Sequence, residues 1–378
     1  MDWKVPLADV QLGVEEILAV EEVLRGGWLT MGEVTEAFER EYAAFCGAKH
    51  ALAVTNATVG LHLACDAVGL KPGDEAIVPS LTFVASANAI CYTGAKAVFA
   101  DIESDDWLCI SPEAIERAIT PRTKAIMVMH YAGYACDMPA ILEIASKHNL
   151  PVIEDAAHAV GASLDGRALG TWGDVGVYSF FGNKNMTTGE GGMVVTNDDI
   201  LAAKMRILRS HGMTTLTWDR HQGHASTYDV VDFGYNYRID EMRSALGREQ
   251  LKKLPEGNAR RAELVTLYRE LLRQQVPQVK VPFFSERGIS SHHIMPALLP
   301  EGTDKLKVME AMKAQRIQTS WHYPPVHTFS AFKEGQDWSG VLPVTESVAR
   351  REITLPLYPT MTVEQVEMVV GALRTSLE

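Results

Sequence analysis

The segment TKAIMVMHYAGYACDMPAILEIASKHNLPVIED, residues 123–155, decides the fold. It opens on TKAIMVMH, an apolar run of the length of one strand. MPAILEIASKHNL (138–150) then places its apolar residues at helical spacing. PVIED (151–155) returns as a second apolar run. Two apolar strands joined by an amphipathic helix read as a βαβ unit, with parallel strands buried on both faces. The same alternation extends outward. Upstream, ALAV (51–54), EAIVPS (75–80) and KAVFADI (96–102) read as strands. TVGLHLACDAVGL (58–70) and VASANAICYTG (84–94) between them read as helices. Downstream, DVGVYSFF (174–181) and GGMVVTND (191–198) continue as strands before the helix DILAAKMRILRSHG (199–212), which ends in glycine. The fold class is therefore α/β with a mostly parallel sheet.

Past residue 250 the texture changes. EQLKKLPEGNARRAELVTLYRELLRQQ (249–275) reads as a long charged helix broken near Pro255 and Gly257. QVKVPFF and HHIMPALLP follow, then another helix and a Pro-rich turn. The expected organisation is a large α/β domain over 1–250, with a helical arm in the first ~25 residues, and a small α+β domain over 251–378. The 378 residues, 47% of them hydrophobic, suffice for both cores. A formal net charge of −13 argues against nucleic acid as a general partner. No apolar run is long enough to cross a bilayer. The acidic, periodic start MDWKVPLADVQLGVEEILAVEEVL does not read as a secretion signal. Cys46, Cys65, Cys91, Cys109 and Cys136 form no CxxC pair, which suits reduced thiols in a cytoplasmic protein.

Parallel sheets bind ligands at the carboxyl ends of their strands, so the polar residues there carry the chemistry. TNAT (55–58) joins a strand to a helix. Thr55 or Asn56 caps that helix, and the Ala57 and Thr58 amides either form an anion site or belong to an ordinary cap. Asp155 closes an apolar strand, either as a capping carboxylate or as the partner of a cationic ligand. His158 either stacks on a flat ligand or packs. YSFFGNKNMTTGEGGMVV (178–195) holds Ser179 and one lysine, Lys184, among glycines. That lysine is either a solvated loop residue or, in shelter, a nucleophilic amine able to form a Schiff base. An anion cradle, an aspartate and a lysine on one crevice are what pyridoxal phosphate needs. Phe83, after the next strand, is placed to cover the cofactor ring.

Six segments in order resemble the DegT/DnrJ/StrS family of sugar aminotransferases. They are GGWLTMG, TNATVGLHLA, PGDEAIVPSLTFVASANA, EDAAHAVGA, YSFFGNKNMTTGEGGMVV and DFGYNYRIDEMRSALGREQLKKL. The resemblance covers nearly the whole chain. It implies a fold type I pyridoxal phosphate enzyme with a seven-stranded type of sheet. Within it, Lys184 resembles the cofactor-anchoring lysine and proton carrier, and Asp155 the pyridine partner. Phe83 stacks on the ring, with His158 near the ring or its hydroxyl. The Ala57 and Thr58 amides and the Ser179 hydroxyl hold the phosphate. Asn236 reaches the phosphate of a neighbouring subunit, so a homodimer with shared sites is implied. Trp28 and Thr30 stand in the family's substrate-facing loop. SWHYPPVH (320–327) resembles its HYxPxH segment. There His322, Tyr323 and His327 either wall the substrate or pack a Pro-rich turn. Arg238 either meets a diphosphate or donor carboxylate or makes a surface ion pair.

TNAT replaces the commoner SGT, and Met31 stands where relatives have threonine. Relatives with histidine at position 184 dehydrate sugars, so lysine favours transamination. The substrates implied are glutamate and a nucleotide-linked keto sugar. The form KNMTTGEGGM resembles enzymes that aminate sugar carbon four, giving an NDP-4-keto-6-deoxyhexose. Amination at carbon three, a cyclitol substrate, sugar dehydration and a non-catalytic cofactor-binding regulator are the alternatives. No metal is expected: HQGH (221–224) and His292–His293 lack carboxylate or cysteine partners at ligand spacing. GTWGDVG (170–176) is not a dinucleotide fingerprint.

Overall fold

The computed structural model describes residues 3–215, 227–285, 287–333 and 340–378. Along the chain come α1 (Val14–Gly26), α2 (Glu33–Cys46), β1 (His50–Val54), α3 (Ala57–Ala67), β2 (Glu75–Pro79), α4 (Val84–Tyr92) and β3 (Lys96–Ala100). They are followed by α5 (Pro112–Ala118), β4 (Thr123–Met129), α6 (Met138–His148) and β5 (Val152–Asp155). After a two-stranded hairpin, β6 (Ser163–Leu164) and β7 (Arg167–Ala168), come β8 (Val175–Ser179), β9 (Gly192–Thr196) and α7 (Asp199–Leu208). One seven-stranded sheet has the order β1-β9-β8-β5-β4-β2-β3. Only β9 runs antiparallel to its neighbours in that sheet. Strands β2, β5, β8 and β9 are buried at every residue, as expected of strands covered on both faces.

The βαβ unit of residues 123–155 forms as its sequence demands. The Asp137 carboxylate accepts the Ala140 amide at 3.2 Å and starts α6, with Pro139 in the first turn. Asn149 ends the helix in the left-handed conformation, φ 53°. Strand β5 then pairs with β4 on one side and β8 on the other, which carries Asp155 to the strand ends.

The expected helix break does not occur. Helix α8 runs unbroken over Glu241–Gln275, with Pro255 inside it. A proline there loses one hydrogen bond and costs ~3 kcal/mol. Packing on both sides offsets that cost. Leu251 and Leu254 enter the core of the large sheet, whereas Leu264, Val265, Tyr268 and Leu272 enter a separate C-terminal core. Each fully buried aliphatic side chain contributes ~1.5–3 kcal/mol. The C-terminal core also holds the antiparallel pair β10 (Met295–Leu298) and β11 (Glu352–Leu355) with α9 (Lys305–Ala314) and α11 (Val363–Ser376). Helix α10 (Pro343–Arg351) leads into β11. The N-terminal segment joins this C-terminal core: Val5 is fully buried in it and exchanges main-chain bonds with Arg316 and Gln318. Helix α1 packs along α8.

Candidate active site

The loop between β8 and β9 presents Lys184. Main-chain bonds from Thr188 N to Phe180 O and from Lys184 N to Phe181 O, both 2.9 Å, hold it. Gly189 turns the chain at φ 77°. The lysine amine lies 3.3 Å from His293 Nε2. Burial of that amine lowers its pKa to about 8, against the opposing pull of Asp155. Asp155 is buried at the end of β5. Its carboxylate accepts Ser86 Oγ at 2.7 Å and the Ala157 amide at 3.1 Å. Burial still pushes its pKa up, although Ser86, Ala157, Lys184 and His130 all favour the charged form.

A second set of side chains closes over this pair. His158 Nδ1 accepts the Ala132 amide at 3.3 Å. Its Nε2 therefore carries the hydrogen, donated to the Tyr323 hydroxyl at 2.9 Å. The Tyr323 ring lies 5.8 Å from that of Phe83, whose side chain is 53% exposed at the start of α4. His322 Nδ1 bonds Thr354 Oγ1 at 2.8 Å. Thr354 donates that hydroxyl to Glu352 at 2.6 Å, so His322 Nδ1 is the donor toward it.

The opposite end of the site is an anion cradle. Asn56 Oδ1 caps α3 by accepting the Val59 amide at 3.0 Å. Among the described residues, the Ala57 and Thr58 amides have no protein acceptor. Gly192, opposite Ser179 in the sheet register, brings β9 against this helix start. A Cβ at 192 would lie 2.9 Å from Ala57 N. Ser179 Oγ accepts only the Phe181 amide at 3.3 Å, which leaves its hydrogen to donate.

The structure therefore gathers Lys184, Asp155, His158, Tyr323 and Phe83 through direct contacts or mutual electrostatics, with the Ala57, Thr58 and Ser179 cradle beyond the same strand ends. His322 adjoins them, and the positive charge of Lys184 acts on it. Other predicted residues stand apart from Lys184. Trp28 and Thr30 lie in a loop tied to the start of α8: Thr30 bridges Asp240, and Glu241 accepts the Gly32 amide at 2.8 Å. His327 is packed against Ser80 Oγ at 2.7 Å. Asn236 is exposed and bridges Ser210. Arg238 bridges Val54, beside the cradle loop. Burial and Arg209 lower its pKa, and no acceptor among the described residues pairs with it. The HQGH histidines lie outside the described residues. His292 Nδ1 meets the Tyr134 hydroxyl at 3.0 Å.

Sequence reasoning missed several residues. Ser86 holds Asp155 from one turn into α4, and nothing in VASANA marks it. Glu154, inside an apolar strand, was a legible signal: it is fully buried. It receives His130 Nε2 at 2.8 Å and the Gly170 and Gly173 amides at 2.7 and 2.6 Å. His293, which the sequence offers only as a metal-ligand candidate without partners, touches the lysine amine.

The model of the DegT/DnrJ/EryC1/StrS aminotransferase family matches residues 10–374. The chain belongs to this family. It is 41% identical over 369 residues to the spore coat polysaccharide biosynthesis protein SpsC of Bacillus subtilis, covering 96% of this chain and 94% of SpsC. The crystal structure of DesI in the presence of its TDP-sugar product superposes with a TM-score of 0.89, at 32% identity over 99% of this chain and 93% of DesI. The PLP form of Spr1654 from Streptococcus pneumoniae does so at 0.91, with 26% identity over 98% of each chain. The family is one of aminotransferases, its solved neighbours here include sugar aminotransferases, and pyridoxal phosphate is the cofactor it implies. The residues here fit that cofactor. The orphaned amides of α3 suit a phosphate, the exposed Phe83 ring a flat ring face and the buried Asp155 a protonated ring nitrogen.

Proposed function

We propose that the protein moves an amino group from glutamate to the keto carbon of a nucleotide-linked sugar, an NDP-4-keto-6-deoxyhexose. The observation that carries this is the buried Lys184 amine, with its lowered pKa, set against Asp155 in a chain of this family. Ala57, Thr58 and Ser179 hold the cofactor phosphate, Asp155 its ring nitrogen and Phe83 one ring face. His158 packs beside the ring. When bound, pyridoxal phosphate supplies an aldehyde that accepts the amino group and a ring that takes up the electrons of the broken C–H bond. Lys184 supplies the amine that anchors it and a proton carrier at Nζ in both half-reactions. The lysine favours transamination over dehydration, and the form of its loop favours amination at carbon four.

Arg238, half-buried and without an acceptor among the described residues, takes the diphosphate or the donor carboxylate. His322 and Tyr323 wall the sugar side, with Trp28, Thr30 and His327 placed farther out. The sites are shared in a homodimer, with Asn236 of the partner subunit on the phosphate. Exposed Val14, Ile17, Leu18 and Leu24 on α1 support a subunit contact. The five free thiols suit the cytoplasm. Among the described residues, no helix is long and apolar enough to cross a membrane.

The test is an absorbance spectrum of the purified protein before and after glutamate. The expected result is a band of lysine-bound cofactor that gives way to the aminated cofactor. The amino group should then pass to one member of a panel of nucleotide-linked keto sugars. A band that persists with glutamate overturns the donor assignment. For the shared site, mixing the inactive variants Lys184→Ala and Asn236→Ala should restore activity. No restoration after proven subunit exchange counts against it.

A further inference from the structure

We propose that His293 is the positioning residue that aims the Lys184 amine: Asn185 fixes its imidazole as the Nδ1–H tautomer, and its Nε2 lone pair receives Nζ. This rests on reading Lys184 as the cofactor-anchoring amine. The tautomer follows from hydrogen bonds that start at a main-chain carbonyl. The Ser291 carbonyl can only accept, so Asn185 turns its amide nitrogen toward it, at 2.7 Å. The second hydrogen of that nitrogen goes to Asn258 Oδ1, also at 2.7 Å. Asn258 Nδ2 in turn donates to the Val160 carbonyl at 2.9 Å, so neither amide can flip without losing a bond. Asn185 Oδ1 is left facing His293 Nδ1 at 2.9 Å, where it can only accept. Nδ1 therefore carries the hydrogen. A neutral imidazole carries just one, which makes Nε2 the acceptor, 3.3 Å from Nζ.

The ring is held neutral. His293 is buried, and the groups that face it are Lys184, His158, Arg261 and His322. Burial and these positive neighbours keep its pKa well below the ordinary histidine value. The His158 ring packs at 4.3 Å between centroids and fixes its plane. Arg261 donates to the His293 carbonyl at 3.2 Å and anchors its backbone. An acceptor bonds an ammonium more strongly than a neutral amine. His293 thus holds Nζ in place in both protonation states and partly offsets the desolvation that lowers the lysine pKa. The opposite tautomer would set a donor against the ammonium and a bare Nδ1 against the Asn185 oxygen.

The experiment uses the full-length chain freed of cofactor. Nitrogen NMR reads each imidazole tautomer, with the His293 signals assigned by their loss in His293→Gln. The expected result near neutral pH is Nδ1–H with a bare Nε2. An Nε2–H tautomer or an imidazolium overturns the proposal. Acetylation of Lys184, followed by peptide mass spectrometry against pH, gives a second readout. Half-reaction is expected near pH 8 in the native chain. His293→Phe should lower that midpoint by about one unit through loss of the acceptor. His293→Gln, which keeps an acceptor, should restore most of the shift. An unchanged midpoint in His293→Phe overturns the proposal. Neither readout involves glutamate or cofactor, so failure of the proposed transamination appears separately, in the absorbance spectrum.

Discussion

Replacing Lys184 with alanine is expected to remove the band of lysine-bound cofactor and to cut turnover by about ten-thousand-fold or more. The size follows from two losses at one atom. In the proposed function Nζ is both the covalent anchor and the proton carrier, and among the described residues no second lysine is hydrogen-bonded to the cluster around it. The lowered pKa matters to both roles. With a pKa of about 8, about one amine in ten is free base at neutral pH, against about one in three thousand for an ordinary lysine. Burial thus raises the supply of nucleophile by about two to three orders of magnitude. The variant should keep its fold, because residue 184 is only half-buried and the loop is held by main-chain bonds. A folded Lys184→Ala protein with an intact band would sink the assignment.

Asp155→Ala should lower turnover by about a thousandfold, or ~4 kcal/mol of transition-state stabilisation. The carboxylate is buried, and in the proposed function its negative charge would hold a proton on the cofactor ring nitrogen. Alanine also removes the acceptor of the part-buried Ala157 amide, whereas the Ser86 hydroxyl can turn to the Phe83 carbonyl at 3.2 Å. Asp155→Asn separates the two effects. Asparagine keeps the shape and one acceptor oxygen but carries no charge. It should remain as stable as the native protein in thermal unfolding while losing most of the turnover. Near-normal rates in a folded Asp155→Asn variant would refute the electrostatic role.

Much of this was legible in the chain itself. The alternation around residues 123–155 fixes strands by apolar runs and helices by spacing, because burial on two faces leaves no other pattern. Strand ends in such a sheet face one crevice, so Asp155, Ser179 and the TNAT cap could be assigned to it before any contact was known. The six segments then pointed to one family and, through it, to Lys184.

Other features could not be read this way. Periodicity along a segment records which side is buried, not which distant residue arrives to meet it. His293 comes to Lys184 across 109 residues, and its tautomer depends on Asn185, Asn258 and two main-chain carbonyls. Tyr323 reaches His158 only after the C-terminal unit folds back over the sheet. Pro255 reads as a break, yet α8 continues because its two ends bury side chains in different cores. The chain alone determined the sheet and the crevice and, through its resemblance to the family, pointed to Lys184 as the candidate reactive amine. Tertiary structure decided what surrounds that amine, because hydrogen-bond partners and desolvation are set by segments that meet only in the folded protein.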